Sequence, residues 1–246
     1  MKEFLRRILC VLMCVITMFL FVGYAGNVQG ATPSPGIVSS KDSMVVVMAG
    51  DPGSLDPHDN VFQTKHQSTR QIYETLVVYD ENGKLVPWLA ESWEYENDET
   101  LVLHIRKGVK FHNGDELKAS DVLFSLKRMR QDNTPAAMQV DQIDFDKSKV
   151  VDKYTLKIVT KGPYALQLPM LENPLCCIIS ERAFTESGGD FFKAPIGTGP
   201  YRVVKYNSGD SLILEGFKDY WIKGQPYVKH LTIRYISDAS ARAIEA

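Results

Sequence analysis

Three turn-forming sequences, Asp80-Glu81-Asn82-Gly83, Asn97-Asp98 and Asn207-Ser208-Gly209-Asp210, each sit between stretches with strand character. An Asn-Gly step adopts the positive φ angles of a tight hairpin at little cost, so such punctuation commits a chain to antiparallel pairs. The flanking runs are Leu76–Tyr79 at the first turn, Ser92–Glu96 and Thr100–Ile105 at the second, and Tyr201–Tyr206 and Ser211–Glu215 at the third. Further strands are read at Tyr154–Val159, Cys176–Ile179 and Lys229–Tyr235. Met44-Val45-Val46-Val47-Met48 is apolar without interruption, which predicts a strand buried on both faces. Helical patterns run over Phe62–Tyr73 and Ser120–Arg130. In the second, Val122, Leu123, Leu126 and Met129 share a face, and Ser120 and Asp121 suit the positive N-terminal end. A last helix starts after Ser237-Asp238 and reaches Ala246 without a terminating signal, so we expect the gene product to continue. Strands interleaved with helices make the fold class mixed α/β.

The first thirty residues read as an address. Lys2, Arg6 and Arg7 precede an apolar run from Ile8 to Val22, and small and polar residues follow from Gly23 to Gly30. That order is the pattern of a secretory signal, and the run falls short of the roughly 20 residues a spanning helix needs. Val28 and Gly30 suit the positions before a cleavage point, which places the mature start at Ala31. The rival reading is an uncleaved N-terminal anchor. Residues 31–43, with the loose stretch Thr32-Pro33-Ser34-Pro35-Gly36, form a linker.

Composition excludes some partners. Twenty-eight Lys+Arg against 30 Asp+Glu leave a formal charge of −2, so the basic excess of a nucleic-acid binder is missing. Four cysteines make no disulfide framework, because Cys10 and Cys14 lie in the segment expected to be removed. Cys176-Cys177 sits in an apolar run, which predicts two buried thiols facing opposite sides rather than a redox pair. Histidines 58, 66, 104, 112 and 230 lack metal-ligand spacing, so neither metal nor cofactor is expected. Gly197-Thr198-Gly199 has the look of a phosphate loop. Pro200 and Tyr201 follow it instead of a helix, so a sharp turn feeding a strand is the better reading. No nucleophile elbow and no distinctive carboxylate pair is present, and the chain reads as a non-enzyme.

The motifs become specific in their order. Gly50–His58 contains Leu55-Asp56-Pro57-His58; Tyr73-Glu74-Thr75-Leu76-Val77 and Leu89-Ala90-Glu91-Ser92-Trp93 follow. Leu103–Gly114 then leads into Ala119-Ser120-Asp121-Val122, and Pro195–Tyr201, Asp219-Tyr220-Trp221 and Asp238–Arg242 complete the series. This succession, over about residues 44–246, resembles the family 5 extracellular solute-binding proteins, the oligopeptide and dipeptide receptors of bacterial ABC importers. Trp88, Trp93 and Trp221 supply core area whatever the family.

The resemblance implies a periplasmic-binding-protein type II-like lobe built from residues 44–92 and 190–246, an inserted α+β subdomain at 93–189, and no C-terminal lobe. It implies capture of peptides outside the cytoplasmic membrane by a monomer that hands them to an inner-membrane permease. In peptide-binding members the segment after the Leu-Asp-Pro-His turn pairs with the ligand backbone, which here maps onto Val61, Phe62 and Gln63. A second ligand-facing position maps onto Asn173. Members usually carry roughly as much chain again, whose lobe holds the acidic partner of the ligand's amino terminus. Lys118 stands where a hydroxyl residue often caps the helix beginning at Ala119, a loss of about 1 kcal/mol. The same scaffold also takes nickel chelates, opines or oligosaccharides, and a truncated chain that binds nothing is the remaining alternative.

Overall fold

A computed structural model describes residues 42–59, 63–130 and 135–245. The leader at 1–30, most of the linker, and Val61 and Phe62 lie outside the described residues.

The first sheet has the order β1-β10-β9-β8, from β1 (Ser43–Met48), β8 (Tyr201–Asn207), β9 (Ser211–Gly216) and β10 (His230–Tyr235). β1 runs parallel to β10, with Val45 opposite Thr232, and the other neighbours are antiparallel. The second sheet is wholly antiparallel in the order β4-β5-β7-β6, from β4 (Ala90–Asn97), β5 (Thr100–Ile105), β6 (Lys149–Asp152) and β7 (Thr155–Val159). β2 (Val77–Tyr79) and β3 (Leu85–Pro87) form a separate hairpin.

All three expected hairpins are present. Gly83 at φ 73° and Gly209 at φ 78° supply the left-handed turns. Asp80 stiffens the first by accepting from the amides of Asn82 at 2.9 Å and Lys84 at 2.8 Å.

The helices are α1 (Gln63–Thr69), α2 (Ala119–Met129), α3 (Pro135–Gln139), α4 (Glu181–Glu186) and α5 (Ala239–Glu245). Lys118 does stand at the start of α2, and its backbone amide donates to the Asp121 carboxylate at 2.9 Å. The other oxygen of Asp121 accepts from the Glu181 amide at 3.0 Å, so one buried carboxylate secures the first turns of both α2 and α4. This offsets part of the missing hydroxyl cap.

Three expectations change. β1 is an edge strand, with Met44 and Val45 51% and 56% exposed, so it is not buried on both faces. An apolar run specifies a strand; what stacks on each face decides its burial. The helix read over 62–73 stops at Thr69, where the amides of Gln71 and Ile72 turn to carbonyls three residues back, Ser68 at 3.3 Å and Thr69 at 2.9 Å. The carbonyls of Gln71 and Ile72 in turn accept from the amides of Tyr201 at 3.0 Å and Gly199 at 2.9 Å. Those amides approach through Gly197 and Gly199. A Cβ at Gly197 would lie 2.0 Å from the Ile72 carbonyl oxygen, and that contact is why a side chain is excluded.

The third change is at Cys176–Ile179, which is not a sheet strand. Cys176 ends the 3-10 turn Pro174–Cys176, and the next residues run extended without a ladder. Their amides find other acceptors: Ile178 donates to the Glu74 carbonyl at 2.9 Å and Ile179 to the Ser125 hydroxyl at 3.0 Å. Strand-like alternation survives without the sheet. Cys176 and Ile178 enter the core around the second sheet and α2, whereas Cys177 and Ile179 enter the core around the first sheet. Both thiols are fully buried, and desolvation pushes the Cys177 thiol up to about 12 and the Cys176 thiol higher still. They are packing groups.

Candidate functional site

The loop leaving β1 is tied to the rest of the fold by a run of polar contacts. Its first anchor is Asp51, whose carboxylate accepts from the Gly53 and Gly209 amides and from the Tyr206 hydroxyl at 2.5 Å. The loop is thereby fixed to the β8–β9 turn. Its second anchor is Asp56, which takes a two-pronged guanidinium contact from Arg128 on α2 at 3.0 and 2.5 Å. Paired donors of this kind fix orientation as well as charge.

His58, two residues on, is 3% exposed and bridges two elements. Its Nδ1 faces Arg128 Nη1 at 2.8 Å and its Nε2 lies 2.9 Å from the Cys177 carbonyl. Arg128 donates, and the carbonyl accepts. The ring is therefore the neutral tautomer carrying hydrogen on Nε2. Burial pulls its pKa down to about 4, with the Arg128 charge adding to the effect. Arg128 itself stands over two adjoining aromatic rings, 5.0 Å from Phe184 and 4.8 Å from Phe192.

Asp59 then pairs with Lys65 on α1, a lysine with no exposed side-chain surface. Burial pulls that ammonium below the ordinary lysine range, while Asp59 works against the shift. Residues on both sides of positions 60–62 are thus held by charged contacts.

Of the residues singled out in sequence, Gln63 is the first residue of α1 and is exposed. The amides of a helix's first turn have no intrahelical acceptor. Asn173 lies elsewhere, at the start of the 3-10 turn Pro174–Cys176. Its Oδ1 accepts from the Leu175 amide at 3.0 Å, and its Nδ2 donates to Gln139 at 3.2 Å. That side chain already works as a cap. The two regions are linked by Arg70, just past α1, which pairs with Glu172 at 3.0 Å. Val61 and Phe62 fall outside the described residues.

Arg128 and the Cys177 carbonyl were invisible in the sequence reading. The alternate spacing of Asp56 and His58 hints that both face one partner, but nothing local names a residue 70 positions away.

Glu74 is a second unforeseen polar centre. It lines a cavity of about 280 Å³ with Arg70, Trp88, Tyr220 and Gln225. Its carboxylate accepts from Trp88 Nε1 at 2.8 Å, the Tyr220 hydroxyl at 2.8 Å and Trp221 Nε1 at 3.2 Å. Trp88 and Trp221 meet edge to face at 5.1 Å, and Arg106 stands 4.7 Å over the Trp221 ring. Burial pushes the carboxyl up despite these donors. The arrangement joins two sequence motifs, Tyr73–Val77 and Asp219–Trp221, through one carboxylate. Glu74→Ala strands three largely buried donors. We expect it to cost about 3 kcal/mol or more, read as a lower urea midpoint, with Glu74→Gln costing distinctly less because one acceptor oxygen remains. Equal midpoints for Glu74→Ala and the unaltered chain would refute this account.

His112 explains the glycine-rich turn. Its Nδ1 accepts from the Gly197 amide at 3.3 Å, and its Nε2 donates to the Gly199 carbonyl at 2.9 Å. Gly197-Thr198-Gly199 is thus occupied by protein partners on both faces, as a turn feeding β8.

Comparison with known proteins agrees with this architecture. The family described as "Bacterial extracellular solute-binding proteins, family 5 Middle" matches residues 84–246. The glutathione-binding protein GsiB of Pectobacterium atrosepticum is 32% identical over 221 residues, covering 89% of this chain and 43% of that protein. The periplasmic binding protein DppA from Helicobacter pylori, solved with the peptide STSA, superposes with a TM-score of 0.73 at 27% identity, over 82% of this chain and 44% of that one. MoaA from A. tumefaciens R10, solved with mannopinic acid, gives a TM-score of 0.77 at 27% identity, over 83% and 43%. The chain spans about two fifths of the length of the curated relatives it matches, and its fold is part of a type II periplasmic binding protein. No helix among the described residues is long and apolar enough to cross a membrane. The chain belongs to the family 5 bacterial extracellular solute-binding proteins.

Proposed function

We propose that this chain supplies the peptide-capturing lobe of an ABC importer's solute receptor, working outside the cytoplasmic membrane and passing its cargo to a membrane permease. The observation that carries the reading is the fastening of residues 56–59 and 65 on either side of Val61–Gln63. A backbone edge held in place offers amides and carbonyls to any peptide, with little regard to its side chains. The matches to a glutathione-binding protein and to a receptor solved with a tetrapeptide support peptides as the class. Asn173 contributes a second contact with the amide hydrogen and lone pair its capping role leaves over.

In this reading residues 1–30 are a leader cleaved before Ala31. Residues 44–92 and 190–246 form the first lobe, and 93–189 an inserted subdomain. The second sheet arising from residues 90–159 and the first from 43–48 and 201–235 support that division.

The test replaces Gln63 in a chain completed by the remaining lobe. Proline deletes the amide donor, whereas alanine keeps it. Proline is also tolerated in a helix's first turn, so the fold survives. We expect Gln63→Pro to weaken peptide binding about 5- to 150-fold relative to Gln63→Ala, the worth of one hydrogen bond in a closed cleft. Equal affinities in calorimetry, with matching melting curves, would show that this amide does not pair with ligand.

A second reading keeps the scaffold and changes the solute, favoured by the likeness to a protein solved with mannopinic acid. Mass spectrometry of the ligand carried through purification decides between them.

A further inference from the structure

The polar ties around the loop after β1 are more than generic packing. A loop of this length is ordinarily held by its own turns. This one reaches across 70 residues to a single guanidinium and across 119 residues to a single carbonyl. We propose that Arg128 and His58 are positioning residues that hold the flank of the peptide-pairing segment in register, and so set how well the lobe grips a peptide backbone. The inference rests on the peptide-pairing role assigned to Val61–Gln63 above.

The geometry gives the device two stages. Arg128 clamps Asp56 through both carboxylate oxygens and, with the same Nη1, donates to His58 Nδ1 at 2.8 Å. His58 passes the constraint on, because its Nε2 hydrogen is committed to the Cys177 carbonyl at 2.9 Å. The wall receiving it is the segment whose residues alternate between the two cores, a rigid reference. Asp59 then grips Lys65, which ties the loop to α1.

The groups facing His58 are Arg128 from α2, Asp56 and Asp59 from its own loop, and Cys177 from the extended wall. Lys65 and the Tyr73 hydroxyl, which donates to the Leu55 carbonyl at 3.2 Å, stand one contact further out.

Protonation would place a hydrogen on Nδ1, directly opposite the hydrogen that Arg128 donates. Two cations and two donors would then share one contact, and the loop has to open. A freed histidine takes up its proton near pH 6.5, whereas the held ring resists to about 4. Within that window opening becomes about tenfold easier for each pH unit lost.

The test is hydrogen–deuterium exchange of the chain, read over residues 54–66 as protection relative to intrinsic rates, at pH 7, 6 and 5. In the unaltered chain protection should fall about tenfold per unit below pH 6.5. His58→Gln keeps one acceptor and one donor but cannot ionise, so its profile should be flat, with protection at pH 7 within a few-fold of the original. Arg128→Met keeps an apolar stem against Phe184 and Phe192 and should lose 10- to 100-fold protection at pH 7. If that variant melts outright, the His58→Gln profile still decides. A flat profile in the unaltered chain, or the same slope in His58→Gln, overturns the proposal.

A millimolar pool of tri- to pentapeptides supplies the second arm. It should protect residues 61–66 in the unaltered chain and at least tenfold less in Arg128→Met. Protection that does not respond to peptide, together with an intact pH slope, overturns the peptide-pairing role and supports the holding role of Arg128 and His58.

Discussion

Acidification from pH 7 to pH 4.5 should destabilise this chain by about 5 kcal/mol, through two histidines. His58 and His112 are held neutral, each with its pKa pulled from 6.5 to about 4 by burial. Between those values the unfolded chain binds a proton at each site and the folded chain does not. Stability is therefore complete above pH 6.5 and is lost as pH falls towards 4. At 1.36 kcal/mol per unit, each ring contributes about 2–3 kcal/mol of loss by pH 4.5. Glu74 and Asp121 act in the opposite sense, because burial raises their carboxyls and the folded chain takes up their protons first. Protonation also sets each ring against a donor it can no longer accept from, the Arg128 guanidinium and the Gly197 amide. Urea midpoints at pH 7 and 4.5 measure the loss. His58→Gln should recover about half of it. A midpoint that holds steady across that range would contradict the neutral, buried state of both rings.

The second large effect concerns affinity. Residues 31–246 expressed alone should hold peptides with dissociation constants in the millimolar range, about −4 kcal/mol, against the micromolar or better expected when both lobes close. The chain matches only 43–44% of the length of GsiB and DppA. Without the opposing wall, charged ligand ends stay in water, where paired charges interact only weakly. Hydrogen bonds along an added strand then compete with solvent and net little each. The half-exposed Met44 and Val45 on the edge strand β1 also make self-association a hazard. Calorimetry with a mixed tri- to pentapeptide pool on monomeric protein is the measurement. Micromolar binding would show that this portion is a complete receptor.

The sequence made legible whatever is decided locally. The turns at Asn82-Gly83 and Ser208-Gly209 need particular backbone angles, and the face of α2 needs a 3.6-residue period, so both could be read directly. β6 could not, because all four of its residues are exposed and show no alternation. The run at 176–179 has the right period for a strand but finds a core on each side instead of neighbouring strands. Its period reported two burying surfaces and said nothing of a ladder. The partners that Gln71 and Ile72 find just past α1 come from a loop more than a hundred residues away. For the candidate site, the series of motifs led to Gln63 and Asn173. The groups that fix their surroundings, Arg128, the Cys177 carbonyl and Lys65, are joined only by folding.

The alternation of Cys176, Cys177, Ile178 and Ile179 between two cores also bears on how the molecule comes apart. At residues 176–179 the partition between the two apolar interiors is a single backbone thick, and each interior loses two members if that backbone moves. Melting of either half should unsettle the other. One transition is therefore expected on heating or in denaturant, read as coincident melting curves by calorimetry and circular dichroism, rather than two modules failing in sequence.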